Sequence, residues 1–399
     1  MSEKPLIAHV IYRLDTGGME RIAVSVINAT RDHYRHAVIC LAGFGNLRKE
    51  IEDASVPCLS LDKRPGKDWG CYFRLWKALR RLKPGLVQTY NVGTMDMAPI
   101  ARLAGVHRVV HAEHGRDAAD PDGANRRYRA MRRWLQPFIA CHVAVSRDLE
   151  SWLADGVGIR RSRIAYIANG IDVTKFEAAR RRPEPRRLLR DFAPEDAVVV
   201  ASVARLDRVK DQAGLITAFK HLRERAGASG VDVRLVIAGD GPQRFELQQQ
   251  IERLGLAGSA RLLGNREDVP ELLAACDVFA LSSIAEGMPV TLLEAMAASL
   301  PVASTSVGGI ASVVEDGVTG TLVPPRDPHA LANALAAYVM DPDLRRRHGS
   351  AGHARATMHF SLRAMVSAYA ALYDGLLDPR RAAAARLRET PTLGRRGES

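Results

Sequence analysis

Residues 278–298 read VFALSSIAEGMPVTLLEAMAA, and the reading of this stretch decides the fold. Val278–Leu281 is a short apolar run of the length of a buried strand. A small polar loop follows from about Ser282, and Pro289 suits the first turn of a helix, where no N–H is needed. Leu292–Ala298 then takes up a helical pattern. Strand, loop and helix in that order form half of a β-α-β unit, whose strands pair in parallel. Glu286 falls in the loop at the helix mouth, and Glu294 about a turn and a half inside. First-turn N–H groups point at whatever occupies the mouth, and two carboxylates so placed can accept hydrogen bonds from ligand hydroxyls. The alternative is two ordinary acids favoured by the helix dipole.

Working outward, the same rhythm fills the chain. In the first half the expected strands are Leu6–Tyr12, Ala37–Leu41, Leu86–Tyr90, Arg108–Ala112, His142–Val145 and Ile164–Ile167, with helix at Trp76–Leu82 and Leu149–Leu153. In the second they are Ala197–Ala204, Arg234–Ala238, Ala260–Leu263, Val278–Leu281, Val302–Ser304 and Gly320–Val323. Between them lie the helical stretches Gly214–Arg223, Arg244–Leu254 and Val269–Ala275. The segment 177–195, EAARRRPEPRRLLRDFAPE, has three prolines, dense arginine and no strand pattern, so it reads as an interdomain linker. The expected division is residues 1–180, 181–358, a helix within 359–378 with a stripe of Met365, Tyr369, Leu372 and Leu376, and a basic disordered tail at 379–399. That tail holds six arginines against two glutamates and little to bury.

Composition narrows the class. A chain of 399 residues with 47% hydrophobic and 26% charged residues suggests two domains with cores of their own. No apolar run approaches the ~18–20 residues of a bilayer span, and the N-terminus is a poor signal peptide. Five scattered cysteines without a Cys-x-x-Cys pair exclude a disulfide framework and fit reduced thiols, hence a cytoplasmic protein. A net charge of +12 allows an anionic ligand, an anionic membrane or nucleic acid. No recognised nucleic-acid module appears, so nucleic acid is not the expected partner.

Four further constellations bear on chemistry. Gly17-Gly18-Met19-Glu20-Arg21 follows the first strand, where glycines admit a ligand close to the backbone and a helix start can face an anion. A plain tight turn explains the same residues. Ala238-Gly239-Asp240-Gly241-Pro242 also ends a strand, and there a turn is the preferred reading. Arg205 and Lys210 lie just beyond the strand 197–204, at the edge where open α/β sheets bind ligands. A guanidinium fork and an ammonium there could hold a diphosphate and stabilise it as a leaving group, although solvated loop cations are common. Glu113-His114-Gly115 ends another strand, so His114 could meet a substrate hydroxyl or be structural. Asp120-Pro121-Asp122-Gly123 is formally Asp-x-Asp but reads better as a turn, and no metal site is expected.

Taken together and in this order, these motifs resemble the GT-B-fold glycosyltransferases of the large retaining family 4, the group 1 enzymes of bacterial exopolysaccharide and lipopolysaccharide synthesis. The resemblance runs from about residue 5 to 377 and also draws on Val145-Ser146, Asn169-Gly170-Ile171-Asp172 and Pro301-Val302. It implies an α/β architecture of two Rossmann-like α/β/α domains with parallel sheets facing across a cleft. Arg205 and Lys210 would bind the diphosphate of a UDP- or GDP-sugar. Glu294 would hold the ribose, and Glu286 with the N–H groups of Gly287, Met288 and Pro289 the transferred sugar. Gly17 and Gly18 would lie by the distal phosphate, His114 would reach the sugar, and Arg266 would lie near the base. No cofactor or essential metal is implied, a divalent ion being at most stimulatory. The acceptor would be a saccharide or lipid-linked saccharide. Two departures stand out: Ala204 where a glycine is common, and Ala311-Ser312 after Gly308-Gly309-Ile310 where Pro-Glu is common.

The rival readings are another GT-B enzyme (a nucleotide-sugar epimerase or a phosphorylase), a polyanion-binding non-enzyme and a pseudoenzyme scaffold. An epimerase needs more acid/base carboxylates than are visible, and a phosphorylase a pyridoxal-binding lysine that cannot be identified. Asn125–Phe138, NRRYRAMRRWLQPF, forms on a helix an apolar stripe of Tyr128, Met131, Trp134, Leu135 and Phe138 between arginines. Such a helix can pack its stripe on the sheet. It can also bring the first domain to the inner face of the cytoplasmic membrane.

Overall fold

The computed structural model describes residues 4–15, 17–116 and 120–378. Two sheets are formed, and every strand pairing within them is parallel. The first contains β1 (Leu6–Ile11), β2 (Arg35–Cys40), β3 (Cys58–Ser60), β4 (Leu86–Tyr90), β5 (Val109–Glu113), β6 (Cys141–Ala144) and β7 (Ile164–Tyr166). The second contains β8 (Val198–Val203), β9 (Val233–Ala238), β10 (Ala260–Gly264), β11 (Val278–Leu281), β12 (Val302–Thr305) and β13 (Gly320–Val323). Their orders are β3-β2-β1-β4-β5-β6-β7 and β10-β9-β8-β11-β12-β13. Each sheet therefore grows one way from its first strand and then the other. The switch points lie at β1/β4 and β8/β11, where the loops at the carboxyl edge part and leave a crevice.

The inner strands are buried along almost their whole length, because helices cover both faces of each sheet, while the edge strands β3, β7, β10 and β13 are only partly buried. On one face of the first sheet, Cys71, Leu75 and Leu79 of the helix Trp69–Leu82 pack with Ala98 and Ala101 of the helix Ala98–Leu103. Met131 and Leu135 of the helix Arg126–Leu135 join the same cluster. The other face carries the helix Gly18–Thr30 and, across it, the last helix, Leu362–Leu377. That last helix leaves the second domain and returns to the first. Tyr34 donates to Asp374 at 2.7 Å, Arg108 donates to the carbonyl of Leu376 at 2.6 Å, and Tyr373 donates to Gln88.

The strands foreseen from sequence are all present, with ends moved by at most two residues. Missing from the reading was β3, three residues at a sheet edge and too short to show a period. The segment 177–195 holds no strand, as expected of it, and the end of the helix Val173–Arg180 and a 3₁₀ turn at Pro185–Leu189 occupy much of it. Leu189, Phe192 and Ala193 are buried, so the segment is packed. The stripe of the last helix is centred on Met365, Tyr369 and Tyr373, with Leu372 and Leu376 only partly covered. The helix Arg126–Leu135 departs most: Trp134 is exposed, while Arg132, read as a flanking residue, is buried. All five cysteines are free thiols. The tail 379–399 lies outside the described residues.

Tyr373 tests the return of the last helix. Tyr373→Ala removes a fully buried ring and orphans Gln88, and should cost about 3–5 kcal/mol in urea unfolding. Tyr373→Phe loses only the hydrogen bond and should cost about 1–3 kcal/mol. An alanine variant within ~0.5 kcal/mol of the parent would mean that the helix does not hold the first domain.

Candidate active site

β8 and β11 are neighbours, and the loops that follow them are stapled together. Ser282 donates through Oγ to the carbonyls of Lys210 (2.9 Å) and Asp211 (2.8 Å), and the N–H of Ile284 donates to Val209 (2.8 Å). Lys210 Nζ is thereby held 2.6 Å from Glu286 Oε1, which also accepts from Ser283 Oγ at 2.6 Å. Glu286 is buried and Lys210 largely so. An ammonium has three hydrogens, and Glu286 takes one of them, so donors remain for an anion. The glycines around this pair are there for space. A Cβ on Gly308 (φ +53°) would strike the Glu286 carbonyl, and one on Gly309 would strike the Gly287 carbonyl and the Ser146 side chain.

The first domain meets this loop directly. A Cβ on Gly287 would collide with the His114 carbonyl, and one on Gly18 would sit 3.3 Å from Val290. The helices Gly18–Thr30 and Val290–Ala297 therefore bring their N-termini together across the cleft, neither capped by a side chain. Two partial positive charges converge there, a setting for an anion. Pro289 is the residue before the second helix and has no N–H, so the donors expected of 287–289 reduce to Gly287 and Met288. Met288 is buried; its carbonyl accepts from Asn169 Nδ2 at 2.9 Å, which ties the two domains just before the linker.

His114 stands at the end of β5, its N–H held by Asn91 Oδ1 at 2.7 Å. Asn91 follows β4 at a positive φ of 51°, so both switch-point strands of the first sheet serve the site. Both ring nitrogens of His114 are buried without a protein partner. Burial lowers its imidazole to about 4, against the pull of Glu113 and with the push of His111. It is neutral at pH 7, able to accept a hydrogen bond from a hydroxyl or donate one to it. Below it, burial would raise the Glu113 carboxyl, yet Arg132 (2.7 Å) and His111 (3.3 Å) hold it far under the usual range.

Other expected residues are less committed. Arg205 is 66% exposed and pairs with Asp207 in its own loop. The motif 238–242 leaves β9 through a bridge of Gly239 to Gly264 and reaches a turn only at its end, where the Arg244 N–H donates to the Gly241 carbonyl at 3.1 Å; its glycines make room for the Arg205 loop. Side chains on Gly239 or Gly241 would strike the carbonyls of Ala204 and Leu206, on either side of Arg205. Arg266 binds Asp268 (2.7 Å) beyond the edge strand β10, and among the described residues no hydrogen bond links it to the other candidates. Glu294 lies inside its helix, its carboxyl raised by burial and lowered by the Arg21 charge. Asp120–Gly123 makes the expected turn, in which Asp120 accepts from the Asn125 N–H at 3.0 Å. Among the described residues no group of three or more His, Cys, Asp or Glu is arranged to hold a metal.

Asn91, Ser283 and Glu20 were not singled out from sequence. Asn91 carried a signal, an Asn-Val-Gly directly after a strand. Glu20 lies in the first turn of the helix Gly18–Thr30, and a Cβ on Gly17 would run into its carboxylate. Burial raises Glu20 to about 7; a backbone hydrogen bond and Arg205 oppose this, while Asp15 reinforces it. Arg205 thus acts on the first domain's glycine turn as well as on its own loop.

Known proteins are similar to this chain in sequence and fold. The profile described as "Glycosyltransferase Family 4" matches residues 16–175, and that described as "Glycosyl transferases group 1" matches 190–355, one on each domain. An N-acetyl-alpha-D-glucosaminyl L-malate synthase of Bacillus anthracis is 30% identical over 183 residues, 46% of this chain and 47% of that protein. The match thus spans about half of that relative. A UDP-Gal:alpha-D-GlcNAc-diphosphoundecaprenol alpha-1,3-galactosyltransferase of Escherichia coli is 28% identical over 346 residues, 84% of this chain and 88% of that protein. The crystal structure of Anabaena HepE in complex with UDP and glucose superposes with a TM-score of 0.80 at 23% identity, covering 93% of this chain and all of the other. The fold is GT-B.

Glu20 gives the site a testable pH signature. Its carboxyl binds a proton near 7 when folded and near 4.5 when unfolded, so the folded state holds more protons between these values. Its contribution to stability therefore falls as pH rises from about 4.5 to 7 and is level above. Glu20→Gln should match the parent near pH 4.5 and exceed it by on the order of 2 kcal/mol at pH 8. Urea midpoints for both proteins at the two pH values check this, and a pH-independent difference would remove Glu20 as the titrating group.

Proposed function

The chain belongs to glycosyltransferase family 4, the group 1 enzymes, and from that premise we propose that it transfers a sugar from a UDP- or GDP-sugar, with retention of configuration, to a hydroxyl of a saccharide or lipid-linked saccharide. The setting is bacterial exopolysaccharide or surface polysaccharide synthesis. The observation that carries the reading is the Lys210–Glu286 pair at 2.6 Å, set beside two converging helix N-termini. A diphosphate suits the helix ends and the free hydrogens of Lys210. Arg205 lies on the same side and can exchange Asp207 for phosphate. Glu286 and the Gly287 and Met288 N–H groups suit sugar hydroxyls, and Glu294 suits a ribose. The neutral, unpartnered His114 faces this region from the first domain.

In the proposed step the bond between the anomeric carbon and the distal phosphate oxygen breaks. The acceptor oxygen bonds to that carbon on the same face, and its proton passes to the departing phosphate. No protein nucleophile or base is needed. Charge grows on the leaving diphosphate, where Lys210, Arg205 and the helix dipoles are already oriented. Contact of Gly287 with the His114 backbone closes the site against water, which would hydrolyse the donor. Work on a lipid-linked acceptor places the enzyme in the cytoplasm at the inner membrane face. The association proposed is a peripheral one; no helix among the described residues is long and apolar enough to cross a membrane.

Lys210→Ala and Arg205→Ala should each lower kcat about 30- to 1000-fold while the fold persists, since they stabilise charge that appears in the transition state. The loss should be larger for Lys210, the buried member. Release of UDP or GDP in a donor screen is the readout, and near-normal turnover by a soluble Lys210→Ala protein would refute the assignment. Transfer should also survive EDTA and the Asp122→Ala substitution. Complete loss with EDTA, restored by Mg²⁺ or Mn²⁺, would show that the turn at 120–123 had been misread.

A further inference from the structure

The helix Trp69–Leu82 has two apolar faces. Cys71, Leu75 and Leu79 face the sheet and are fully buried. Trp69, Phe73 and Trp76, spaced i, i+4, i+7, form a second stripe outside the core clusters: Trp69 is 77%, Phe73 63% and Trp76, the most covered of the three, 38% exposed. The Phe73 and Trp76 rings stack on each other at 5.7 Å, so the stripe is one continuous surface. Next to it on the same layer, Leu103 ends the helix Ala98–Leu103, and Trp134, 80% exposed, stands on the helix Arg126–Leu135. Large apolar side chains left in water on three adjacent helices are costly to a protein that stays in bulk solvent.

The exposed charges around these rings are mainly positive. No Asp or Glu occurs in residues 69–83, 97–108 or 125–147, the stretches that supply the three helices, while they contain more than ten lysines and arginines. Lys77, Arg80, Arg81 and Lys83 are exposed at the far end of the first helix, and Arg126 and Arg127 at the start of the third. The acids nearest the stripe are already engaged, Asp68 by Arg74 at 2.8 Å and Asp96 by Tyr72 at 2.6 Å. A helix that follows a parallel strand begins at the sheet's carboxyl edge, so Trp69 lies toward the rim of the cleft.

From this geometry we infer that the outer face of these three helices is the surface on which the protein rests against an anionic bilayer. Trp69, Phe73 and Trp76 enter the headgroup boundary, and the flanking lysines and arginines meet lipid phosphates. An aromatic stripe flanked by exposed lysines and arginines is complementary to that surface, whereas a second copy of the chain would bring positive charge against positive. The inference deepens the peripheral location proposed above and corrects the sequence reading. The docking stripe lies chiefly on Trp69–Leu82, and of the stripe expected on Arg126–Leu135 mainly Trp134 and Phe138 face outward.

Co-sedimentation of the full chain with phosphatidylcholine vesicles, with and without phosphatidylglycerol, tests it. The parent should partition onto the anionic vesicles at least about tenfold better, and less so as salt is raised. The exposed triple Trp69→Ser/Phe73→Ser/Trp76→Ser should weaken this partition about tenfold or more with an unchanged melting temperature. Lys77→Gln/Arg80→Gln/Arg81→Gln should weaken it about 100-fold, from roughly fivefold per charge. Equal, negligible sedimentation with both vesicles would overturn the inference. So would parent-like binding by the aromatic triple, or a parent dimer in ultracentrifugation that the triple dissolves. Transfer to a water-soluble acceptor, followed in parallel, reports on the transferase reading alone, and the aromatic triple should retain it.

Discussion

Everything at the candidate site depends on two reversals of strand order that face each other. In each sheet the first strand sits between neighbours reached in opposite directions, so the loops at its carboxyl edge diverge and expose backbone. Gly17 and Gly18 follow β1 and Asn91 follows β4; Arg205 and Lys210 follow β8 and Ser282 to Glu286 follow β11. His114 after β5 and Gly308 and Gly309 after β12 join them from the neighbouring strands. The side chains are assembled by topology first, and local hydrogen bonds then set the distances.

The reversals would leave an open groove without close backbone approach between the domains. Gly287 against the His114 carbonyl and Gly309 against Gly287 and Ser146 are contacts that a single methyl group at either glycine would prevent. At this seam the Lys210 and Glu286 side chains keep only 24% and 7% of their surface. Their attraction then acts in a medium of lower effective dielectric, where a charge pair is strong and a lone charge costly. The same dryness keeps His114 neutral and raises Glu20 and Glu294.

What the sequence disclosed follows from which forces are local. Parallel strands buried on both faces appear as apolar runs, so β1, β4, β8 and β11 were legible nearly to the residue. Lys210 and Glu286 were legible because strand ends and helix starts fix their positions. Arg132 was not: ten residues of helix with five arginines suggest a solvated basic face. Its burial depends on Glu113, nineteen residues earlier on a strand, and on Trp152, over whose ring its guanidinium lies at 4.8 Å. Tyr373 was hidden for a like reason, since its partner Gln88 lies far away in the chain. Trp69 and Phe73 escaped notice because an aromatic on a helix ordinarily means core, and only coordinates distinguish a second apolar face from the first.

Arg132 also joins two parts of the molecule that otherwise look separate. It sits on the helix that carries Trp134 to the outer surface, and its guanidinium grips Glu113, the residue before His114. An ion pair buried this completely tolerates little change in length, because separation leaves two uncompensated charges in a dry interior. A shift of that helix is therefore felt at the end of β5, where Glu113 holds the backbone that presents His114 to the cleft. Trp152 adds a third link, donating from Nε1 to the Gly123 carbonyl at 3.1 Å and so fixing the turn that begins the same helix. The outer layer and the candidate catalytic edge of the first domain are thus one mechanical unit, built around a charge that the sequence alone assigned to the solvent.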